Sequence, residues 1–338
     1  MKKGIRILIA FLIIAVGCSL IHSANDVLLR KSDNRYYMLE KELERRNETY
    51  DVQIYGSCHA YTSFNSMILV NGYDISCYNM SNPGEIIPAT YLRMLERFKI
   101  DPPKVAVVEI WGVNAYETYS SSEDIFNHFF PLNVERIPFS KEKLEVISDF
   151  DSLSVINENF AAIKYKDRLL DFPLPEVEYN YSFSLCRETY EETIPWLYKE
   201  MDIRFGNNGF LGNDANHLPD YPQQQAKVAY DDLLPVEPDI VKYLDKIIEL
   251  CEAYDVELLF YRAPYRSTAN ELRKLNWLRK YFDEKGAVFA DMEDFVSFDY
   301  TTDFLDYEHL SLSGAQKLTE RLISFVMEAV DAHDQKAN

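Results

Sequence analysis

Five short runs rich in β-branched and aromatic residues recur along the chain between turn residues: Val52 to Ser57, Asp74 to Met80, Val105 to Trp111, Val256 to Tyr261 and Val288 to Asp291. Their length and composition are those of strands. Between them, apolar residues recur at spacings of three and four over residues 87–99, 238–253, 268–285 and 314–330, the period of helices that bury one face. Strands that alternate with helices close as right-handed crossovers, so the pattern predicts a parallel sheet with helices on both sides.

The implied architecture is α/β, a three-layer, flavodoxin-like sandwich over residues 51–335. The alternation breaks once, at about residues 115–235, where a Tyr-rich stretch begins with helical segments and ends in Arg204 to Asp232, rich in Asn, Gly, Asp and Pro. An irregular insertion of that length is usually functional, and it is expected to cap a site. Residues 26–50 are charged, with Tyr36, Leu39 and Leu43 at helical spacing, which predicts a solvated helical stalk.

Ahead of the stalk, Lys2, Lys3 and Arg6 precede an uncharged, mostly apolar run from Ile7 to Ile21. That is the layout of a signal sequence or an uncleaved signal anchor over residues 1–25. The basic residues place the N-terminus in the cytoplasm and the rest outside a bacterial cell membrane. Ala15-Val16-Gly17-Cys18 partly matches a lipoprotein cleavage box, so lipidation at Cys18 is a second reading.

Hydrophobic residues make up 47% and charged residues 27% of the chain, the balance of a folded globular protein. Asp and Glu outnumber Lys and Arg by 55 to 35, for a formal charge of -20. Nucleic acid is excluded as a partner on that basis, because binding it rests on phosphate neutralisation by cations. Strongly anionic glycans fit poorly for the same reason; neutral acceptors fit better. The five cysteines, Cys18, Cys58, Cys77, Cys186 and Cys251, have neither zinc-site spacing nor the density of a disulfide scaffold. Asp124, His128, Asp214 and His217 show no repeated ligand spacing either, so neither metal nor cofactor is assigned.

Ligands of open parallel sheets bind beyond the carboxyl ends of the strands. The first run ends Tyr55-Gly56-Ser57-Cys58-His59, where Gly56 permits a tight turn and the following residues project near a helix N-terminus, a setting that favours a thiolate. Near the other end, Ser313 and Gln316 have capping-box spacing and predict the start of the last helix. Asp306 and His309 fall in the loop before it. Three residues apart on a turn, the carboxylate can hold one imidazole nitrogen while the other faces a nucleophile, as in acyl-transfer triads.

Gly56-Ser57-Cys58-His59 resembles the first motif block of the SGNH/GDSL hydrolase superfamily, and Asp306-Tyr307-Glu308-His309 resembles its last, Asp-x-x-His block. The chain looks most like envelope-associated branches that include alginate O-acetyltransferase-like and lipoteichoic acid D-alanylation proteins. The resemblance implies an esterase or O-acetyltransferase acting on cell-envelope or exopolysaccharide glycans, with a multi-spanning membrane O-acyltransferase as acyl-donor partner. The family's nucleophilic Ser, two positions after the Gly, is here Cys58, so either Cys58 or the adjacent Ser57 attacks. His59 is expected to support the site or line its rim. The family's middle blocks, which supply oxyanion donors, correspond to Tyr78–Ser81 and Glu109–Asn114. They match imperfectly and leave Asn79 and Asn114 as candidates that could equally be turn residues. Two other functions stay open: a catalytically silent binding or scaffolding module of a glycan-assembly complex, and a redox protein using Cys58 and Cys77.

Overall fold

The computed structural model describes residues 5–6, 9–14, 16–18, 20, 35–111, 130, 133–134, 137–138, 140–150, 195–213 and 226–336. In chain order the elements are α1 (Arg35–Arg46), β1 (Val52–Tyr55), α2 (Cys58–Ser63), α3 (Ser66–Tyr73), β2 (Cys77–Asn79), α4 (Ile87–Phe98), β3 (Val105–Glu109), α5 (Lys141–Phe150), α6 (Pro195–Gly206), α7 (Pro238–Ala253), β4 (Glu257–Arg262), α8 (Ala269–Lys285), β5 (Val288–Asp291) and α9 (Leu312–Lys336). The strands form one five-stranded sheet in the order β2-β1-β3-β4-β5, and every pairing is parallel.

Strand residues alternate between two separate cores, as the period of two requires. Val52, Ile54, Val105, Val107, Leu259 and Tyr261 pack beneath α2, α3 and α9, where they meet Ala60, Phe64, Leu69, Leu318 and Leu322. Tyr55, Ala106, Val108 and Phe260 point the other way, against Leu92, Phe98, Leu244, Ile247 and Leu278 of α4, α7 and α8. This is the three-layer α/β arrangement that the alternation implies.

Local chemistry sets the helix ends. Thr268 and Glu271 form a reciprocal capping box at the start of α8, and Gly286 ends it at φ 67°, a conformation costly for residues with a Cβ. The second strand is shorter than the run suggested, because α3 continues to Tyr73 and stops at Asp74 in the left-handed conformation. The start of α9 also differs from expectation. The Gly314 N–H donates to Ser311 Oγ at 3.3 Å, whereas the Ser313 hydroxyl donates to Asp303 Oδ1 at 2.9 Å and the Gln316 amide to Glu320. Ser313 and Gln316 therefore do not cap the helix. The first turn packs so tightly on the preceding loop that a Cβ on Gly314 would lie 2.1 Å from the Asp303 carbonyl oxygen.

Helix α1 is not a solvated stalk. Leu39, Glu42 and Leu43 are buried, and Arg46 donates to Asn208 Oδ1 at 3.0 Å and to the Phe205 carbonyl. The apolar spacing of Leu39 and Leu43 marks a face packed onto the body. The end of the insertion covers the exposed edge of the sheet: the Asn79 N–H donates to the Asn208 carbonyl at 2.9 Å, and Asn208 Nδ2 donates to the Cys77 carbonyl at 3.2 Å. An edge strand otherwise left open to pairing with other chains is thereby closed. Among the described residues, no helix is long and apolar enough to cross a membrane. Those between 9 and 14 are helical and exposed, Phe11 to 73%.

Candidate active site

Strands β1 and β3 are neighbours, but the chain leaves β1 for β2 on one side while β3, β4 and β5 follow on the other. Such a reversal of strand order opens a crevice at the carboxyl ends of the two central strands. Gly56 turns the chain there at φ +135°, and a Cβ on it would lie 2.9 Å from the Glu109 Cβ, so the turn depends on glycine. Ser57 then caps α2. Its hydroxyl oxygen accepts the His59 N–H at 3.2 Å and its proton goes to Glu109 Oε2 at 3.1 Å, with the side chain wholly buried. Cys58, the first residue of α2, is half-buried with a free thiol.

The loop before α9 delivers the second half of the site. It is closed by a bridge between Phe304 and Leu310 and by hydrogen bonds from the Leu305 N–H to the His309 carbonyl and from the Ser311 N–H to the Asp303 carbonyl. Inside it, Asp306 Oδ1 accepts the backbone N–H groups of Glu308 and His309 at 2.7 and 2.8 Å. The same carboxylate holds His309 Nδ1 at 2.9 and 3.1 Å, so Nε2 is the nitrogen left for chemistry. The Cys58 sulfur, a ring nitrogen of His309 and a ring nitrogen of His59 all lie within 4.8 Å of one another. Residues about 250 positions apart thus meet at one sheet edge.

The electrostatics separate the two imidazoles. Burial opposes charge on His309, but the hydrogen bond to Asp306 and the neighbouring Cys58 sulfur outweigh it, and the His309 pKa is raised. Asp306 is partly desolvated, yet His309 and the two backbone donors hold its carboxyl below the usual range. His59 is pushed well below the ordinary histidine value, first by burial and then by the charges of His309 and Arg262. It is neutral at physiological pH. Its ring stacks on Trp111 at 4.9 Å, meets Tyr265 edge-on at 5.2 Å and tilts against His309 at 5.1 Å. Neither of its nitrogens has a hydrogen-bond partner among the described residues.

Of the sequence candidates, Cys58, Asp306 and His309 converge, and Ser57 lies beside them with its hydroxyl committed to the cap and to Glu109. Asn79 is buried, and its amide donates to the Ala60 and Phe64 carbonyls at 3.0 and 3.3 Å. Both of its N–H donors are spent tying β2 to α2, which removes it as an oxyanion donor. Asn114 lies outside the described residues, as do Asp124, His128, Asp214 and His217. Cys77 sits buried in β2 and Cys58 at the rim, both as free thiols, and burial pushes the Cys77 thiol up, which suits it poorly for exchange.

Two groups near the site escaped the sequence reading. Glu109 ends β3 wholly buried, accepting the Trp111 N–H at 2.8 Å besides the Ser57 hydroxyl. Burial pushes its carboxyl up to about 8 despite those donors and Arg262. Arg262 ends β4, buried and bound to Asp291, Glu293 and Ser267. Their signal was a charged residue closing an otherwise apolar strand, as in Val105-Ala106-Val107-Val108-Glu109. Compared with known protein families and with curated proteins, the sequence matches none.

Proposed function

We propose that this chain is an SGNH/GDSL-like acyl-ester enzyme, an O-acyltransferase or esterase of cell-envelope or exopolysaccharide glycans held at the membrane by its N-terminus. The observation that carries this reading is the meeting of Cys58 with a carboxylate-oriented histidine at the crevice between β1 and β3. In this mechanism the Cys58 proton resides on His309, and the thiolate attacks the ester carbonyl. The C–O bond to the leaving group breaks as the His309 imidazolium returns that proton to the departing alkoxide. Neutral His309 then takes a proton from an acceptor hydroxyl or from water, which cleaves the acyl thioester. Asp306 fixes the tautomer throughout, as the orienting carboxylate of a triad does. Ser57, whose hydroxyl caps α2, supports the turn and does not attack.

The test uses the full chain in detergent with an activated acetyl ester, with and without neutral oligosaccharides. An acetyl thioester on Cys58 is expected by mass spectrometry, and Cys58→Ala or His309→Ala should lower turnover at least about 100-fold. Ser57→Ala should keep most activity while losing about 1 kcal/mol of stability with its cap. Acetylated sugar would mark a transferase, and acetate alone an esterase. Unchanged turnover in Cys58→Ala and His309→Ala would leave the binding module as the better account.

A further inference from the structure

We propose that Cys58, His59 and His309 form a binding site for a thiophilic divalent cation of the zinc class, with water completing the coordination. The acyl mechanism has no task for His59, yet His59 is the most constrained residue of the cluster. It is 1% exposed, wedged among Trp111, Tyr265 and His309, and has no hydrogen-bond partner for either ring nitrogen among the described residues. Buried polar side-chain atoms normally have a hydrogen-bond partner, so an imidazole with none among the described residues, and with a nitrogen within 4.8 Å of a thiol and a second imidazole, is arranged for a ligand those groups share.

The donor set fits this class of ion. A sulfur and two imidazole nitrogens are what zinc takes, at about 2.3 Å for sulfur and about 2.0–2.1 Å for nitrogen. In tetrahedral geometry the donors then stand roughly 3.5 Å apart, so three atoms already within 4.8 Å of one another need only close by roughly 1 Å. Cys58 and His309 are partly exposed and can make that movement while His59 stays fixed. Asp306 already holds His309 Nδ1, the carboxylate–histidine support that orients metal-binding imidazoles. With Cys58 and His309 partly exposed, water can take a fourth position, and the chain's formal charge of -20 draws cations toward it.

On binding, the proton that the Cys58 and His309 pair holds is released to solvent, so that the thiolate sulfur and the neutral His309 Nε2 each give a lone pair to the metal. The same event takes the thiolate and His309 out of acyl chemistry. A bound ion is therefore an off-switch for the proposed enzyme; that consequence rests on the acyl-transfer reading, whereas the site itself does not.

The experiment titrates the full chain in detergent with Co2+ and then with Zn2+. One equivalent of Co2+ should give a near-ultraviolet sulfur-to-cobalt charge-transfer band that Zn2+ abolishes. Cys58→Ser, a conservative change at a half-exposed position, should remove the band, and His59→Gln should weaken binding at least about 10-fold. If His59→Gln does not fold, the Cys58→Ser comparison decides alone. Absence of the band, or a band that survives in Cys58→Ser, overturns the site. Acylation of Cys58 is followed in parallel: Zn2+ should silence it and a chelator restore it. Metal binding without acylation would sink only the enzyme reading, and acylation without the cobalt band only the metal site.

Discussion

Glu109 is the buried carboxyl on which the turn after β1 rests, and its protonation makes stability depend on pH. Its ordinary pKa of 4.5 rises to about 8 in the folded chain because burial disfavours the charge. Between those values the unfolded chain has lost the proton while the folded one keeps it, so the unfolded state binds fewer protons and stability falls as pH rises. The contribution is intact below about 4.5, declines through the neutral range and levels off above about 8. Glu109→Gln keeps the shape and an acceptor without the titration. Thermal unfolding followed from pH 5 to 8 should show the native chain losing ground to this variant, whereas parallel curves would mean that Glu109 is charged in the fold. At this same scale His59 and Glu109 show why a site is only partly readable in sequence. Cys58, Asp306 and His309 declare themselves by type and spacing. That a histidine has no hydrogen-bond partner among the described residues, or that a carboxyl group is submerged beneath a serine, depends on neighbours that only folding supplies.

Among the elements, the segment after α6 shows how an insertion is fastened to a sheet. Arg204 is buried with its guanidinium 4.2 Å from the Tyr61 ring and donates to the Gly209 and Ser81 carbonyls. Gly209, at φ +86°, lies so close to β2 that a Cβ would fall 1.9 Å from the Asn79 carbonyl oxygen. Gly209→Ala must push this strap off the strand edge and should cost more than about 1 kcal/mol. Gly72 is helical, and a Cβ there meets nothing within 4 Å. Gly72→Ala should therefore stabilise by roughly 0.5–1 kcal/mol. Opposite shifts in unfolding midpoint are expected, and equal shifts would refute the strap. Four of the strands were legible because each fills most of a β-rich run, and the helices at α4, α7, α8 and α9 because each repeats its apolar spacing, whereas β2, three residues long, was placed by its run but not bounded by it. Helices α2 and α3 were not, since six and eight residues hold too few turns to display one. Ser311 and Ser313 are chemically alike as caps, and only the contact of Gly314 with Asp303 selects the first.

For the whole molecule, the packing of α1 decides where the folded body begins. Leu39 and Leu43 belong to the same core as Tyr55, Tyr78 and Met201, and Glu42 is buried with bonds to Arg45 and Arg46. Removing α1 strips two leucines from that core, each worth roughly 1.5–3 kcal/mol on exposure, and leaves Arg46's partners on α6 and Asn208 without their cation. The proposed anchor is a separate matter, because the described apolar residues between 5 and 20 face outward and join neither core. Two truncations should therefore behave differently. A chain beginning at residue 26 should leave the membrane fraction and unfold cooperatively at the temperature of the full chain. One beginning at residue 51 should unfold several degrees lower, a few kcal/mol being a large share of a domain's stability. Fractionation and thermal unfolding of the two provide the check. Equal midpoints would return residues 35–46 to the solvated stalk that their charge suggested, and a chain from residue 26 that still sediments with membranes would place the attachment elsewhere than the N-terminal apolar run.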